Sequence, residues 1–163
     1  MAQGTPQGIE ELPEGGSQFY SLQDAVTALQ WYTENENIDI SSLIIYSIHG
    51  SYTNIEGRAE EWLFGVEAGG DPYIIIFSDG EWTKNRWGER FETKSINIDE
   101  IIPPEDLFRN NRDKIMELMN GTGTDTIVLD IVDDKAIIAA ISGEGFRQLI
   151  LNAYTGEVIV SDV

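Results

Sequence analysis

The chain has 163 residues, the size of one domain and long enough to bury a sizeable core without covalent staples. It holds no cysteine and one histidine, which excludes disulfide frameworks, thiol nucleophiles, thiolate zinc sites and histidine-rich metal centres. Ten Lys plus Arg against 29 Asp plus Glu give a net charge of −19, and the resulting repulsion argues against nucleic acid and anionic membrane surfaces as partners.

Residues 1–17 are rich in Gly, Pro, Gln and Glu with isolated apolar residues, a composition too poor in burial to offset chain entropy, and they are expected to form a disordered tail. Met1-Ala2 suits a natural terminus in the cytoplasm and equally a stalk downstream of a secretion signal, with the rest of the chain outside the membrane. From Gln18 to Glu34, Tyr20, Leu22, Ala25, Val26, Leu29 and Tyr32 recur at three- and four-residue spacing and predict a helix, with Ser21 as N-cap and Asp24 as its capping acid. A second helix is expected from Pro103-Pro104 through Leu107, Phe108, Ile115, Leu118 and Met119 to a stop at Asn120-Gly121.

The rest reads as strands. Leu43 to Ile48, Ala59 to Val66, Tyr73 to Phe77, Ile127 to Val132, Ala136 to Ile141, Gln148 to Ala153 and Val158 to Val160 are short β-rich runs. Turn chemistry such as Gly69-Gly70-Asp71, Asp79-Gly80, Asp133-Asp134 and Thr155-Gly156 separates them, and connections this short imply antiparallel hairpins. The expected fold class is α+β, two helices packed on antiparallel meander sheet.

Ile44-Ile45-Tyr46-Ser47-Ile48-His49-Gly50 aligns with Ile137-Ile138-Ala139-Ala140-Ile141-Ser142-Gly143, Glu56-Gly57 with Glu144-Gly145, and Ile76-Phe77-Ser78-Asp79 with Ile159-Val160-Ser161-Asp162. Two helix-plus-meander units follow, residues 18–98 and 99–163, in one compact domain. Charge divides unevenly: residues 1–83 carry 14 acids and one base, 84–114 carry seven of each, and 115–163 carry eight acids and two bases.

Gly57-Arg58-Ala59-Glu60-Glu61-Trp62, followed by Tyr73-Ile74-Ile75-Ile76-Phe77-Ser78-Asp79-Gly80, resembles the glycine, arginine, alanine, two spacers, tryptophan, aliphatic strand and Asp-Gly turn of PepSY-like domains. Ala153-Tyr154-Thr155-Gly156-Glu157-Val158 is similar to the ending of PepSY repeats, with Asn152 where the family usually has aspartate. The resemblance spans roughly residues 18–163. It implies tandem PepSY-like, cystatin-like units, each a helix across a curved antiparallel sheet, found in many extracytoplasmic proteins and proposed to bind or restrain peptidases. It implies no shared catalytic residues.

Among chemistry-bearing residues, His49 ends a predicted strand, where a solvated, turn-facing imidazole is expected ahead of a general base. Glu60 beside Trp62 has the look of a glycosidase acid, but strand alternation places Glu60 with Trp62 and leaves Glu61 with Leu63 on the other face, without a second carboxylate in place. Asp130, Asp133 and Asp134 bracket a tight turn and lack EF-hand spacing. Asn120-Gly121-Thr122 matches a glycosylation acceptor, and Trp31 and Trp62 are expected in the core.

Gly80 to Arg90 gathers two tryptophans and three cations in a chain short of cations. Alternation aligns Trp82, Lys84 and Arg86 on one face and Thr83, Asn85 and Trp87 on the other, and tryptophan and arginine are enriched at contact hot spots. Trp82, Lys84, Arg86, Trp87 and Arg90 are therefore the candidate binding residues, for a protein or peptide ahead of a glycan, the competing role being a hairpin whose tryptophans close the core. No catalytic, metal or cofactor motif is read. The expected function is a non-enzymatic binding or regulatory module. The alternatives are a hydrolase using Glu60 or His49 and a homo-oligomer joined through sheet edges.

Overall fold

The structure is a computed structural model that describes residues 18–35, 42–124, 127–143 and 145–163. The tail expected over residues 1–17 lies outside them. Helix α1 (Leu22–Asn35) opens with the capping box that the sequence predicts. Ser21 Oγ accepts from the Asp24 amide at 3.0 Å, and Asp24 Oδ2 accepts from the Ser21 amide at 3.1 Å. Leu22, Ala25, Leu29 and Thr33 are its buried residues. The helix starts later than Gln18 because Tyr20 is already used at the sheet margin, exchanging backbone hydrogen bonds with Ala59 at 2.8 and 2.9 Å.

Among the described residues are eight strands, seven on the predicted runs and one in the Gly80–Arg90 segment: β1 (Leu43–Thr53), β2 (Ala59–Ala68), β3 (Asp71–Ser78), β4 (Glu81–Arg86), β5 (Ile127–Val132), β6 (Lys135–Ser142), β7 (Gly145–Asn152) and β8 (Val158–Ser161). They form one antiparallel sheet in the order β4-β3-β2-β1-β5-β6-β7-β8. Two four-stranded meanders thus meet at a central seam, where His49 faces Asp130 and Gly50 faces Leu129. This order makes β1 the counterpart of β5 and β3 the counterpart of β7. The internal sequence match instead lays β1 on β6 and β3 on β8, one strand out of step with the topology.

The second helical stretch is two helices, α2 (Pro104–Asn110) and α3 (Arg112–Thr122), because Asn111 leaves helical geometry and its side chain donates to the Leu107 carbonyl at 2.9 Å. Its stop also moves. Gly121 lies within α3, and Gly123 takes the left-handed conformation at φ 73°, its amide bonded to the Met119 carbonyl at 2.9 Å. Thr122 of the glycosylation triplet is buried and donates to the Leu118 carbonyl.

The helices pack on one face of the sheet over Ile48, Trp62, Phe64, Ile75, Leu129, Ile131, Ile138 and Leu149, with Leu107, Phe108, Ile115 and Leu118 supplied from above. Trp62 is fully buried as expected, and its indole donates to the Tyr20 carbonyl at 2.9 Å. Trp31 is not in the core: it is 67% exposed.

Within the charge-neutral stretch 84–114, the chain between β4 and α2 forms a strap along one end of the sheet. After β4, the Trp87 amide donates to the Pro72 carbonyl at 3.0 Å, Phe91 stacks on Tyr46 at 5.6 Å, and the Lys94 backbone amide donates to Asp133 Oδ1 at 2.9 Å. Ile96 then donates to Ile45 at 2.7 Å and Ile102 to Ala153 at 2.9 Å, which delivers the chain to α2. The sheet runs unbroken from the first meander into the second through the β1–β5 pairing, and the strap ties its two halves together.

Candidate binding edge

β4 ends the sheet on one side. It is brought back along β3 by a two-residue turn in which both Asp79 (φ 55°) and Gly80 (φ 80°) are left-handed, the combination that matches strand twist. Register sets Trp82 against Phe77, Lys84 against Ile75 and Arg86 against Tyr73, so the three share the helix-side face, as alternation predicts. Trp82 is half-buried, with Phe64 edge-on at 5.3 Å and Phe77 at 5.2 Å. Lys84 and Arg86 are exposed and lie 5.0 and 5.9 Å from the Tyr73 ring centre, within cation–π range.

The five candidate residues share this margin but not one role. Trp82 closes the core, whereas Trp87 is 49% exposed. Arg86 pairs with Asp71 at 3.0 Å, and Arg90 braces the β2–β3 turn through Glu67 at 3.2 Å and the Gly70 carbonyl at 3.2 Å. Such exposed pairs contribute little to stability and are screened by salt. Lys84 has no ion-pair partner among the described residues. Beside it, Ala28, Trp31, Tyr32, Gly80, Glu81 and Trp82 line an open cleft of about 560 Å³. The Trp82 indole N–H is buried and has no hydrogen-bond partner among the described residues. Sequence reasoning missed Trp31 here, because its place on the α1 surface next to β4 follows only from the tertiary fold.

The opposite face of the sheet carries a second polar centre. His49 was expected at a turn, but β1 continues to Thr53, and the imidazole sits mid-strand with Nδ1 2.6 Å from Asp130 Oδ1. Asp130 is correspondingly inside β5 rather than at a turn, while Asp133 (φ 56°) and Asp134 form the β5–β6 connection. The hydrogen bond to Asp130 raises the His49 pKa above its ordinary value, partial burial opposes the shift, and the charges of Asp130 and Glu61 add to it. Glu61 lies across from Ser51 and accepts from the Ser78 hydroxyl at 3.3 Å. Glu60 is half-buried on the Trp62 side of β2, so the two glutamates are separated by the sheet. Among the described residues, no group of three or more His, Asp or Glu side chains is placed to hold a metal ion.

The fold and this edge define an acidic α+β protein with helices on one face of a continuous antiparallel sheet. No protein-family model and no curated protein matches the chain. The structure is similar to the crystal structure of a candidate lipoprotein from Clostridium difficile 630, with a TM-score of 0.50 and 8% identity over 85% of this chain and 91% of that one. Identity that low makes the likeness one of fold alone.

Proposed function

We propose that the chain is a binding module whose contact surface is the β4 margin from Trp82 to Arg90. One observation carries this reading: the end strand of a chain with net charge −19 displays Lys84 and Arg86 beside an aromatic cleft, where the sheet has no further strand among the described residues. By the resemblance to PepSY-like domains, the partner class is a peptidase held or restrained by the module. A displayed random-peptide library tests the surface. Binders enriched on the wild type and lost on Lys84→Glu/Arg86→Glu support it, and binders indifferent to that variant overturn it. Trp87→Ala should lower binding and leave thermal stability unchanged, since this residue is 49% exposed.

The second reading is a hydrolase using His49 or Glu60, favoured by the 2.6 Å His49–Asp130 pair, the arrangement of a base and its orienting carboxylate. Turnover on ester, peptide or glycoside panels that vanishes in His49→Gln or Glu60→Ala would displace the binding-module reading.

A further inference from the structure

Resting on the binding-edge reading, we propose that β4 takes up an extended acidic peptide as a ninth strand of the sheet. The pairing register determines which backbone groups are available. Trp87 donates to Pro72, so the 72:87 pair is hydrogen-bonded. Alternation in an antiparallel ladder then makes 74:85, 76:83 and 78:81 hydrogen-bonded as well. The N–H and C=O groups of Trp82, Lys84 and Arg86 therefore point away from β3, across the free edge. The same residues turn their side chains to the helix-side face.

A strand added there meets backbone donors and acceptors and a graded set of side chains at the same positions. At Trp82 the added strand meets the cleft of about 560 Å³ that Trp82 lines together with the 67% exposed Trp31, and this cleft accepts an apolar side chain. At the next two same-face positions the added strand meets the cations of Lys84 and of Arg86, the latter in an exposed pair with Asp71, and these select carboxylates. Residues sharing a face are two apart, so the ligand pattern is apolar-x-acidic-x-acidic, read from Trp82 towards Arg86. A second copy of the chain fits worse. Two bodies of charge −19 repel, and antiparallel pairing about Lys84 sets Lys84 against itself.

The test is fluorescence anisotropy of the full chain with a labelled peptide Thr-Ile-Thr-Glu-Thr-Glu-Thr. Two controls accompany it: its counterpart with Lys for Glu, and the acidic peptide N-methylated on the pairing side. The acidic peptide is expected to bind, and both controls to bind about tenfold more weakly or worse, because each removes backbone pairing or charge complementarity. Lys84→Pro, which removes an outward N–H and one cation but no β3 pairing, should weaken binding more than Lys84→Gln, which removes the cation alone. No binding of the acidic peptide, or equal binding after N-methylation, overturns strand addition. If the N-methylated peptide still binds and Lys84→Gln/Arg86→Gln abolishes that binding, strand addition falls and the binding margin stands. If the acidic peptide binds wild type and that variant alike, both fall. A dimer broken by Lys84→Pro would assign the edge to a second copy and overturn the proposal.

Discussion

Replacing Gly57 by alanine probes the junction between the β1–β2 hairpin and α2. Gly57 is buried at φ +83°, and a Cβ there would lie 2.8 Å from the Pro104 carbonyl oxygen, 2.9 Å from its carbon and 3.1 Å from Glu105 Cα. The loop has little freedom to retreat. Asn54 Oδ1 accepts from the amides of Glu56 and Arg58 at 3.0 and 3.1 Å, Gly57 donates to the Asn54 carbonyl at 3.0 Å, and Arg58 pairs with Glu105 at 2.8 Å. A left-handed alanine costs about 1 to 2 kcal/mol, and a clash with backbone adds about 1 to 3 kcal/mol that no rotamer change relieves. At about 2 to 4 °C per kcal/mol for a chain of this size, the summed cost of about 2 to 5 kcal/mol should lower the Tm of Gly57→Ala by roughly 4 to 20 °C. Calorimetry on three variants separates the terms. Gly69 (φ +61°) has nothing within 4 Å of the added methyl, so Gly69→Ala should show the conformational cost alone, about 1 to 2 kcal/mol. Gly88 is open and outside the left-handed region, so Gly88→Ala should be neutral or slightly stabilising. If Gly57→Ala is no worse than Gly69→Ala, the hairpin does not rest on α2 and the reasoning fails.

His49 is the only histidine, so its ring proton gives an isolated NMR titration. The midpoint should lie above 6.5 and fall in Asp130→Asn, and a wild-type midpoint at or below 6.5 would contradict the pairing. Because the folded-state pKa is raised, the stabilisation is fully present below the unfolded value of 6.5 and lost as pH rises through the folded pKa. The stability gap between wild type and Asp130→Asn, read from urea midpoints, should therefore narrow from acid towards alkaline pH, the effect being small because both groups are partly exposed. Gly65→Ala would press a methyl against Ser47 and the Phe91 ring at 2.8 Å; displacing the strap should cost about 1 to 3 kcal/mol in urea titration, and a neutral result would show that Phe91 does not cover this position. Trp82→Phe keeps an aromatic ring against Phe64 and Phe77 while removing an unpartnered buried donor, so it should cost less than about 1.5 kcal/mol, clearly less than Trp62→Phe, which forfeits the bond to Tyr20.

What the sequence revealed was what neighbours along the chain determine. Ser21 and Asp24 are three residues apart and cap α1 as read, and Trp82, Lys84 and Arg86 share a face because strand periodicity is two. The errors came where partners are distant or geometry is decided by packing. His49 and Asp130 are 81 residues apart and meet only because the two meanders pair at their first strands. Trp31 reads as a core residue by its type, yet it lies two residues from Leu29, roughly 200° round α1, and so turns away from the sheet that Leu29 faces. Asn111 looks compatible with a continuous helix, and its competition for the Leu107 carbonyl appears only in three dimensions. The cations of residues 84–114 were legible as a neutral segment, but their division between a free edge and a strap was not. Lys84 and Arg86 ended on the edge strand, the Arg90 guanidinium braces the β2–β3 turn, and Lys94 is tied to Asp133 through its backbone amide rather than its ammonium.

The central claim, that β4 is an open edge which binds an extended partner, is tested most directly by residue-resolved amide hydrogen exchange. In the free protein, the amides of Trp82, Lys84 and Arg86 should exchange quickly while those of Thr83, Asn85 and Trp87 are protected, and saturating acidic peptide should protect the first set. Protection of Trp82, Lys84 and Arg86 already in the free monomer, or no change when the peptide is added, would contradict it.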